Sequence, residues 1–398
     1  MEGLLQHISF NGAAYHEKNG QIKQYYHGFQ ELGKQHLIAE NTQFNLASLS
    51  KMITAVMTFQ LIEKGQVRLE DKITKWFKVP HFTEVTVAQL LTHTSGIPEY
   101  ITENSSISAE SFVEAALPQF APNEHWSYSN TNYVLLAKMI EEVSGLTYET
   151  YLQQYIAEPL DLTHMTTKPT NPFEAQGQTY DYEEQQYKKA IDDRYLSKAE
   201  KYNNEYGDGG IYATVTEVAK FLKAFWEGRY LRKETVQFML TPTEAAEHYG
   251  YGFILQDEWV GHTGGWMGCS AQAFLNRTTG EVIVLATNQE VFPQYEQEIM
   301  DCFMGKRNVV EAPKHVVILP LTSKDDITGR YELEDGLGTR FTIGKDEQFM
   351  ISFEHQLSVP LFKIDESYYW LRNTMSYVDV ANQIYIDEGV EVPYHQVE

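Results

Sequence analysis

Cysteine is nearly absent: Cys269 and Cys302 are the only two in 398 residues. They lie far apart and form no C-x-x-C pair, so neither a disulfide framework nor a thiolate metal site is expected, and both read as small buried residues. Positive charge is scarce as well. Against 55 Asp and Glu there are 31 Lys and Arg, a formal net charge of −24. Sequence-independent attraction to phosphate backbones or anionic lipid needs clustered basic residues, so nucleic acid is not an expected partner. No apolar run approaches the roughly 18 to 20 residues of a membrane-crossing helix, so no membrane span is expected. The opening MEGLLQHISFNG has no basic n-region and no long apolar stretch, unlike a signal peptide. The expected location is cytoplasmic if Met1 is the native start, and secreted or surface-exposed if an export signal was removed.

What is present is the composition of a folded protein, 42% hydrophobic with 13% aromatic residues. The length exceeds what one hydrophobic core usually organises, which predicts a large domain with a smaller companion. SFNGAAYHEKNGQIKQYYHGF is two alternating segments around Asn19-Gly20, a strong hairpin signal. From Ala47 to about Lys64 the apolar residues Met52, Ile53, Val56, Met57, Phe59 and Ile62 recur at helical spacing, with Gly65 as the stop. Helical patterns follow at TVAQLLTH, TNYVLLAKMIEEVSG and TYETYLQQYI. A polar, Tyr-rich loop from about Lys168 to Tyr206 precedes another amphipathic helix, TVTEVAKFLKAFWEG. The period then changes to two in HYGYGFILQ, WVGHTGG, CSAQAFLNRTTG and EVIVLATNQ, with turns at Asp257-Glu258 and Thr279-Gly280, before the helix FPQYEQEIMDCFMG.

The fold class expected is α/β (α+β): an antiparallel sheet of the N-terminal hairpin and the late strands, covered by the first and last helices, with a helical region inserted. Residues 1–305 would form this domain and 306–325 a linker. Residues 326–398 read as short strands with Gly turns, a small β-barrel-like domain. There, Tyr368, Tyr369 and Trp370 either line a ligand surface or fill the core, and core filling is the reading preferred.

Three short motifs carry chemistry. Ser48 and Lys51, in NLASLSKMITAVMTFQ, are three residues apart at a helix start and therefore share a face. A serine hydroxyl is a poor nucleophile until a neighbour takes its proton, and a lysine amine does so when burial lowers its pKa. S-x-x-K alone is a weak signal, and a capped helix start with a solvated lysine is its bland reading. An apolar helix, however, is a costly place for an unpaired ammonium. Tyr128-Ser129-Asn130, in WSYSNTNY, sets a phenol and an amide just before a helix, where Asn130 or Thr131 also reads as a plain cap. Tyr202-Asn203-Asn204 fits the same Y-x-N pattern but has no periodic element to fix it. His262-Thr263-Gly264-Gly265 enters a strand, where glycines let a substrate lie close and expose backbone N–H groups, as an oxyanion hole requires. His93, Thr94 and Ser95, in LLTHTSGIPEY, read as a hydrogen-bonded loop supporting the site.

In that chain order, S-x-x-K, Y-x-N and [KH]-T-G resemble the serine β-lactamase and penicillin-binding protein superfamily. The spacing, with LLTHTSG and GDGGIYAT between motifs, is similar to the branch holding class C β-lactamases, D-alanyl-D-alanine carboxypeptidases, esterases and D-amino-acid peptidases. The likeness covers roughly Phe10 to Gly305. It implies that Ser48 attacks a carbonyl and is acylated while Lys51 and Tyr128 exchange protons. Asn130 would hold the substrate amide, and the N–H groups of Ser48 and Gly265 would bind the oxyanion. His262, Thr263 and Gly264 would border the substrate, with His262 and Thr263 facing its carboxylate or the tyrosine. No metal or organic cofactor enters the scheme.

The sequence departs from the β-lactamase pattern where His262 replaces the usual lysine. Lowering a tyrosine from about 10 to near 7 takes roughly 4 kcal/mol, which a fixed cation helps supply and a partly charged histidine supplies poorly. Peptidase, carboxypeptidase or esterase action on a small-molecule or peptide substrate is therefore expected ahead of β-lactam hydrolysis. A class C-type β-lactamase and a non-turnover penicilloyl-binding sensor are the alternatives. A Ser-His-Asp hydrolase lacks its G-x-S-x-G elbow.

Overall fold

The computed structural model describes residues 4–5, 8–100, 108–169, 173–190, 206–322, 325–336, 338–345, 348–353, 358–372, 374–387 and 390–397. The chain forms two compact units, one of the described residues up to Glu290 and one from Val291 onward.

In the first unit, β1 (Gly12–Lys18) and β2 (Gln21–His27) form the expected hairpin. Asn19 and Gly20 both have positive φ, 53° and 74°, as a two-residue turn between twisted strands requires. Two short strands, β3 (Phe44–Asn45) and β6 (Tyr212–Ala213), pair apart from the main sheet. So do β4 (Gln178–Asp181) and β5 (Gln186–Lys189), a hairpin inside the segment read from sequence as a loop. The remaining strands are β7 (Ile254–Gln256), β8 (Trp259–Trp266), β9 (Cys269–Asn276) and β10 (Val282–Thr287). They join the hairpin in one antiparallel sheet of order β2-β1-β10-β9-β8-β7. β10 is buried at every position, which explains its unbroken apolar run VIVLA.

The helix lying over β1, β9 and β10 is Val215–Trp226. Thr214 and Glu217 close a capping box at its start, and Val215, Val218, Phe221, Leu222 and Phe225 form its buried face. The sequence pattern points to the first and last helices for this role, and the last, Pro293–Phe303, falls in the second unit. The first, Ser50–Glu63, is buried over nearly its whole circumference and packs against Asn130–Ser144 in the interior. An all-round apolar helix belongs inside a core, and this burial is what strips water from Lys51.

The second unit contains the helix Pro293–Phe303 and a closed barrel of eight antiparallel strands, β11 (Gly329–Leu333) to β18 (Val390–Val397), with β18 pairing back to β11. Closure removes exposed strand edges. Phe341, Ile343, Phe349, Ile351, Leu361, Tyr369 and Val378 fill the barrel. Tyr369 is thus core, and Trp370 is fully buried with its ring against Phe292 and Phe362, while Tyr368 is half-buried. Cys269 and Cys302 are free and buried. Among the described residues no helix is long and apolar enough to cross a membrane.

Candidate active site

Ser48 is positioned by the short sheet β3–β6. Leu46 N–H donates to the Ile211 carbonyl at 2.9 Å, and Asn45 Oδ1 accepts from Ala47 N–H at 2.8 Å. Ala47 is thereby held at φ 44°, an uncommon conformation for a residue with a side chain. The chain turns sharply there into a 3₁₀ turn, Ala47–Leu49, before the α-helix begins at Ser50. Ser48 therefore stands two residues ahead of the α-helix, on the 3₁₀ turn, rather than on the first α-turn as the sequence spacing implied.

Lys51 Nζ lies 3.0 Å from Ser48 Oγ, 2.7 Å from Asn130 Oδ1 and 2.7 Å from the Asp208 carbonyl oxygen. Three acceptors match the three donors of an ammonium group. The Tyr128 hydroxyl donates to Ser48 Oγ at 2.9 Å. The structure thus brings Ser48, Lys51, Tyr128 and Asn130 into one hydrogen-bonded group. Lys51 is 0% exposed, whereas Ser48 is half-buried and reachable.

Burial pushes the Lys51 ammonium down to about 8, against the opposing pull of the Asp208 and Glu99 carboxylates. Burial raises the Asp208 carboxyl, and Lys51 pulls it back. Tyr128 is held well above the usual phenol range, first by burial and then by the neighbouring Tyr249. At neutral pH Tyr128 is therefore a proton donor, and the lysine is the group poised to lose its proton.

Asn130 begins the helix Asn130–Ser144, but it does not cap it with its own side chain. Glu99 takes that place: its Oε2 accepts from both Asn130 N–H and Nδ2 at 2.9 Å, a carboxylate at the positive end of a helix. The His93 loop supports the same turn. His93 Nδ1 accepts from Ser129 N–H at 3.1 Å, and Ser95 Oγ donates to Asn132 Oδ1 at 2.8 Å.

β8 carries the third motif along the other side. A Cβ on Gly264 would lie 2.6 Å from the Leu46 carbonyl oxygen and 2.8 Å from Ser48 N, whereas one on Gly265 would meet nothing within 4 Å. The strand runs so close to the Ser48 turn that only glycine fits at 264. Gly264→Ala is accordingly expected to force the two apart and to lower the rate of Ser48 acylation by about 100-fold, the typical penalty for a displacement near 1 Å. Gly265→Ala should fold and melt like the parent. Acylation rates and melting curves of both variants check this.

His262 departs from expectation. It is 2% exposed, and burial together with the nearby Lys51 charge lowers it to about 3, so it is neutral rather than partly charged. Its Nε2 is 3.0 Å from the Tyr249 hydroxyl, and its Nδ1 is 2.5 Å from the Thr263 carbonyl oxygen. Its hydrogen-bonding phenol is therefore Tyr249, not Tyr128, whose ring centroid lies 6.3 Å away. Thr263 and Gly265 are exposed on the strand. Tyr202-Asn203-Asn204 falls outside the described residues.

Glu99, Asp208 and Tyr249 were not singled out from sequence. Glu99 and Asp208 fall in LLTHTSGIPEY and GDGGIYAT, segments noted for their spacing, and the glycines around Asp208 were the available hint.

The match to the Beta-lactamase family model spans residues 6–299. Penicillin-binding protein 4* of Bacillus subtilis is 28% identical over 93% of this chain and 90% of its own length. Teichoic acid D-alanine hydrolase of Staphylococcus aureus is 26% identical over 72% of each. The crystal structure of a penicillin-binding protein from Bacillus halodurans superimposes with a TM-score of 0.66 at 22% identity, covering 77% of this chain and 99% of that one. With a family match over most of its length and a fold to agree, the chain belongs to the beta-lactamase family and is a serine hydrolase.

Proposed function

We propose that Ser48 forms an acyl-enzyme with D-aminoacyl esters or amides that carry a free α-ammonium group. The observation that carries the hydrolytic part is the shared contact of Lys51 Nζ and the Tyr128 hydroxyl with Ser48 Oγ, at 3.0 and 2.9 Å. Neutral Lys51 takes the serine proton as Oγ bonds to the substrate carbonyl carbon. The resulting oxyanion lies against the backbone N–H groups of Ser48 and Gly265. Tyr128 gives its proton to the departing amine or alcohol and regains one from the Lys51 ammonium, which took it from the serine. Water then attacks the acyl group along the reverse path. Asn130 Nδ2 and the exposed Thr263 border the space the substrate occupies.

The charge of the site supports the choice of substrate. Penicillins and C-terminal D-alanyl peptides bring a carboxylate, which the neutral His262 does not pair with. Glu99 and Asp208 instead place two carboxyl groups near Lys51, which suits a cationic substrate. Among the relatives, the teichoic acid D-alanine hydrolase acts by its name on D-alanine.

Initial rates on D-alanine p-nitroanilide and on its N-acetyl derivative test this reading. The free amine should be preferred by about 10- to 100-fold, the worth of one charge-assisted hydrogen bond, and Glu99→Gln should erase most of that preference. Equal or better turnover of the acetylated compound, or rapid penicillin hydrolysis, overturns it. A persistent penicilloyl adduct without turnover would favour the sensor reading.

A further inference from the structure

His93 is a buried histidine one strained step inside the loop T-H-T-S-G. Its φ is 57°, in the left-handed region, and its side chain is fully enclosed. Held conformations of this kind persist where the surroundings over-determine them. Two donors converge on Nδ1, the Ser129 N–H at 3.1 Å and Asn132 Nδ2 at 3.4 Å. The Asn132 amide turns its Oδ1 to Ser95 Oγ, which donates to it at 2.8 Å. An Nδ1 that accepts twice carries no proton, so the proton of the neutral ring is on Nε2, which is buried with no hydrogen-bond partner.

The ring also forms the floor beneath the reactive tyrosine. Its centroid is 4.5 Å from that of Tyr128 at an interplanar angle of 33°, and Tyr249 and Tyr133 lie at 5.0 and 5.1 Å on its other contacts. The His93 carbonyl accepts from Ser127 N–H at 2.9 Å. One residue thus grips the backbone on both sides of Tyr128 and packs against its ring.

We propose that His93, as the neutral Nε2–H tautomer, is the positioning residue that holds the Tyr128 hydroxyl on Ser48, through the Nδ1 acceptor it offers to Ser129. The inference rests on the reading of Ser48 as nucleophile. Burial and the charge of Lys51 keep the ring from protonating, so the acceptor persists across working pH.

Two variants separate the acceptor from the ring. Asparagine carries an oxygen where histidine carries Nδ1 and tolerates positive φ, while phenylalanine keeps a flat ring and offers no acceptor. On an amide substrate that the parent turns over, His93→Phe is expected to lower kcat by about 100-fold with KM within threefold, and His93→Asn to recover to within tenfold of the parent. Melting curves accompany both. Two variants equally impaired while melting like the parent, or two unimpaired variants, overturn the proposal.

A second measurement does not depend on turnover or on how the variants fold. In ¹⁵N-histidine-labelled protein, the His93 signal, identified by its loss in whichever variant folds or by through-bond assignment in the parent, should report an unprotonated Nδ1 and a protonated Nε2. A protonated Nδ1 overturns the proposal. Ser48→Ala serves as the control on the underlying reading: full turnover in that variant refutes Ser48 as nucleophile, and with it any catalytic role for the His93 contact, while leaving the tautomer result standing as structure.

Discussion

Replacing Lys51 by methionine is expected to lower acylation of Ser48 by about 10²- to 10⁴-fold, the range for loss of a general base. Methionine is close in length and lacks the charge. The variant should still fold, because a buried ammonium costs several kcal/mol to desolvate, which offsets the two acceptors, Asn130 Oδ1 and the Asp208 carbonyl, left without their donor. Rapid-quench or intact-mass acylation rates, read beside a melting curve, make the comparison. The same group sets the pH profile. Burial lowers the Lys51 ammonium to about 8, and the reactive form is the neutral amine. Below that pH the neutral fraction falls about tenfold per unit, and above it the fraction saturates. The acylation rate should therefore rise steeply from pH 6 and level off just above 8. His262, lowered to about 3, contributes no inflection between pH 5 and 9. A flat profile over pH 6 to 8 would remove Lys51 as the base.

The coarse plan of this molecule was legible because its signals are local and periodic. The Asn19-Gly20 hairpin, the strands from Trp259 to Thr287 and the barrel each follow from alternation and turn residues. Ser48, Lys51 and Tyr128 were legible because S-x-x-K and Y-x-N are short motifs in a fixed order, and the structure brings them within hydrogen-bonding reach. The electrostatics were not legible. The state of His262 depends on full enclosure and on a lysine that is distant in sequence. Glu99 is 31 residues from the Asn130 it caps, and neither residue type nor local period marks such a pairing. The 3₁₀ turn at Ala47–Leu49 was missed for a related reason: it is imposed by the bond from Leu46 to Ile211, across the chain, and not by helix propensity.

Tyr128→Phe distinguishes a proton donor from a base by its dependence on the leaving group. Were the tyrosine the base that activates Ser48, its loss would slow every substrate alike, since each needs the serine proton removed. Tyr128 is instead held well above the usual phenol range by burial and by Tyr249, and it donates to Ser48 Oγ in the resting state. Its available chemistry is therefore to deliver a proton. An amine leaving an anilide or peptide must be protonated as it departs, whereas a p-nitrophenolate departs as the anion. The variant is expected to lose about 10²- to 10⁴-fold on D-alanyl amides and less than about tenfold on the corresponding p-nitrophenyl ester. The paired rates are acylation rates (burst or single turnover) on the same acyl group, so the shared deacylation step, in which Tyr128 also acts, stays out of the comparison and the leaving group is what differs. Equal losses on the two substrates would return Tyr128 to the role of base. That result would require a tyrosinate stabilised in a pocket where the nearest histidines are neutral and the carboxyl groups of Asp208 and Glu99 oppose it. Lys51, the remaining cation, has its Nζ 4.9 Å from the Tyr128 ring centroid, and it is the group that the amine-as-base mechanism already employs.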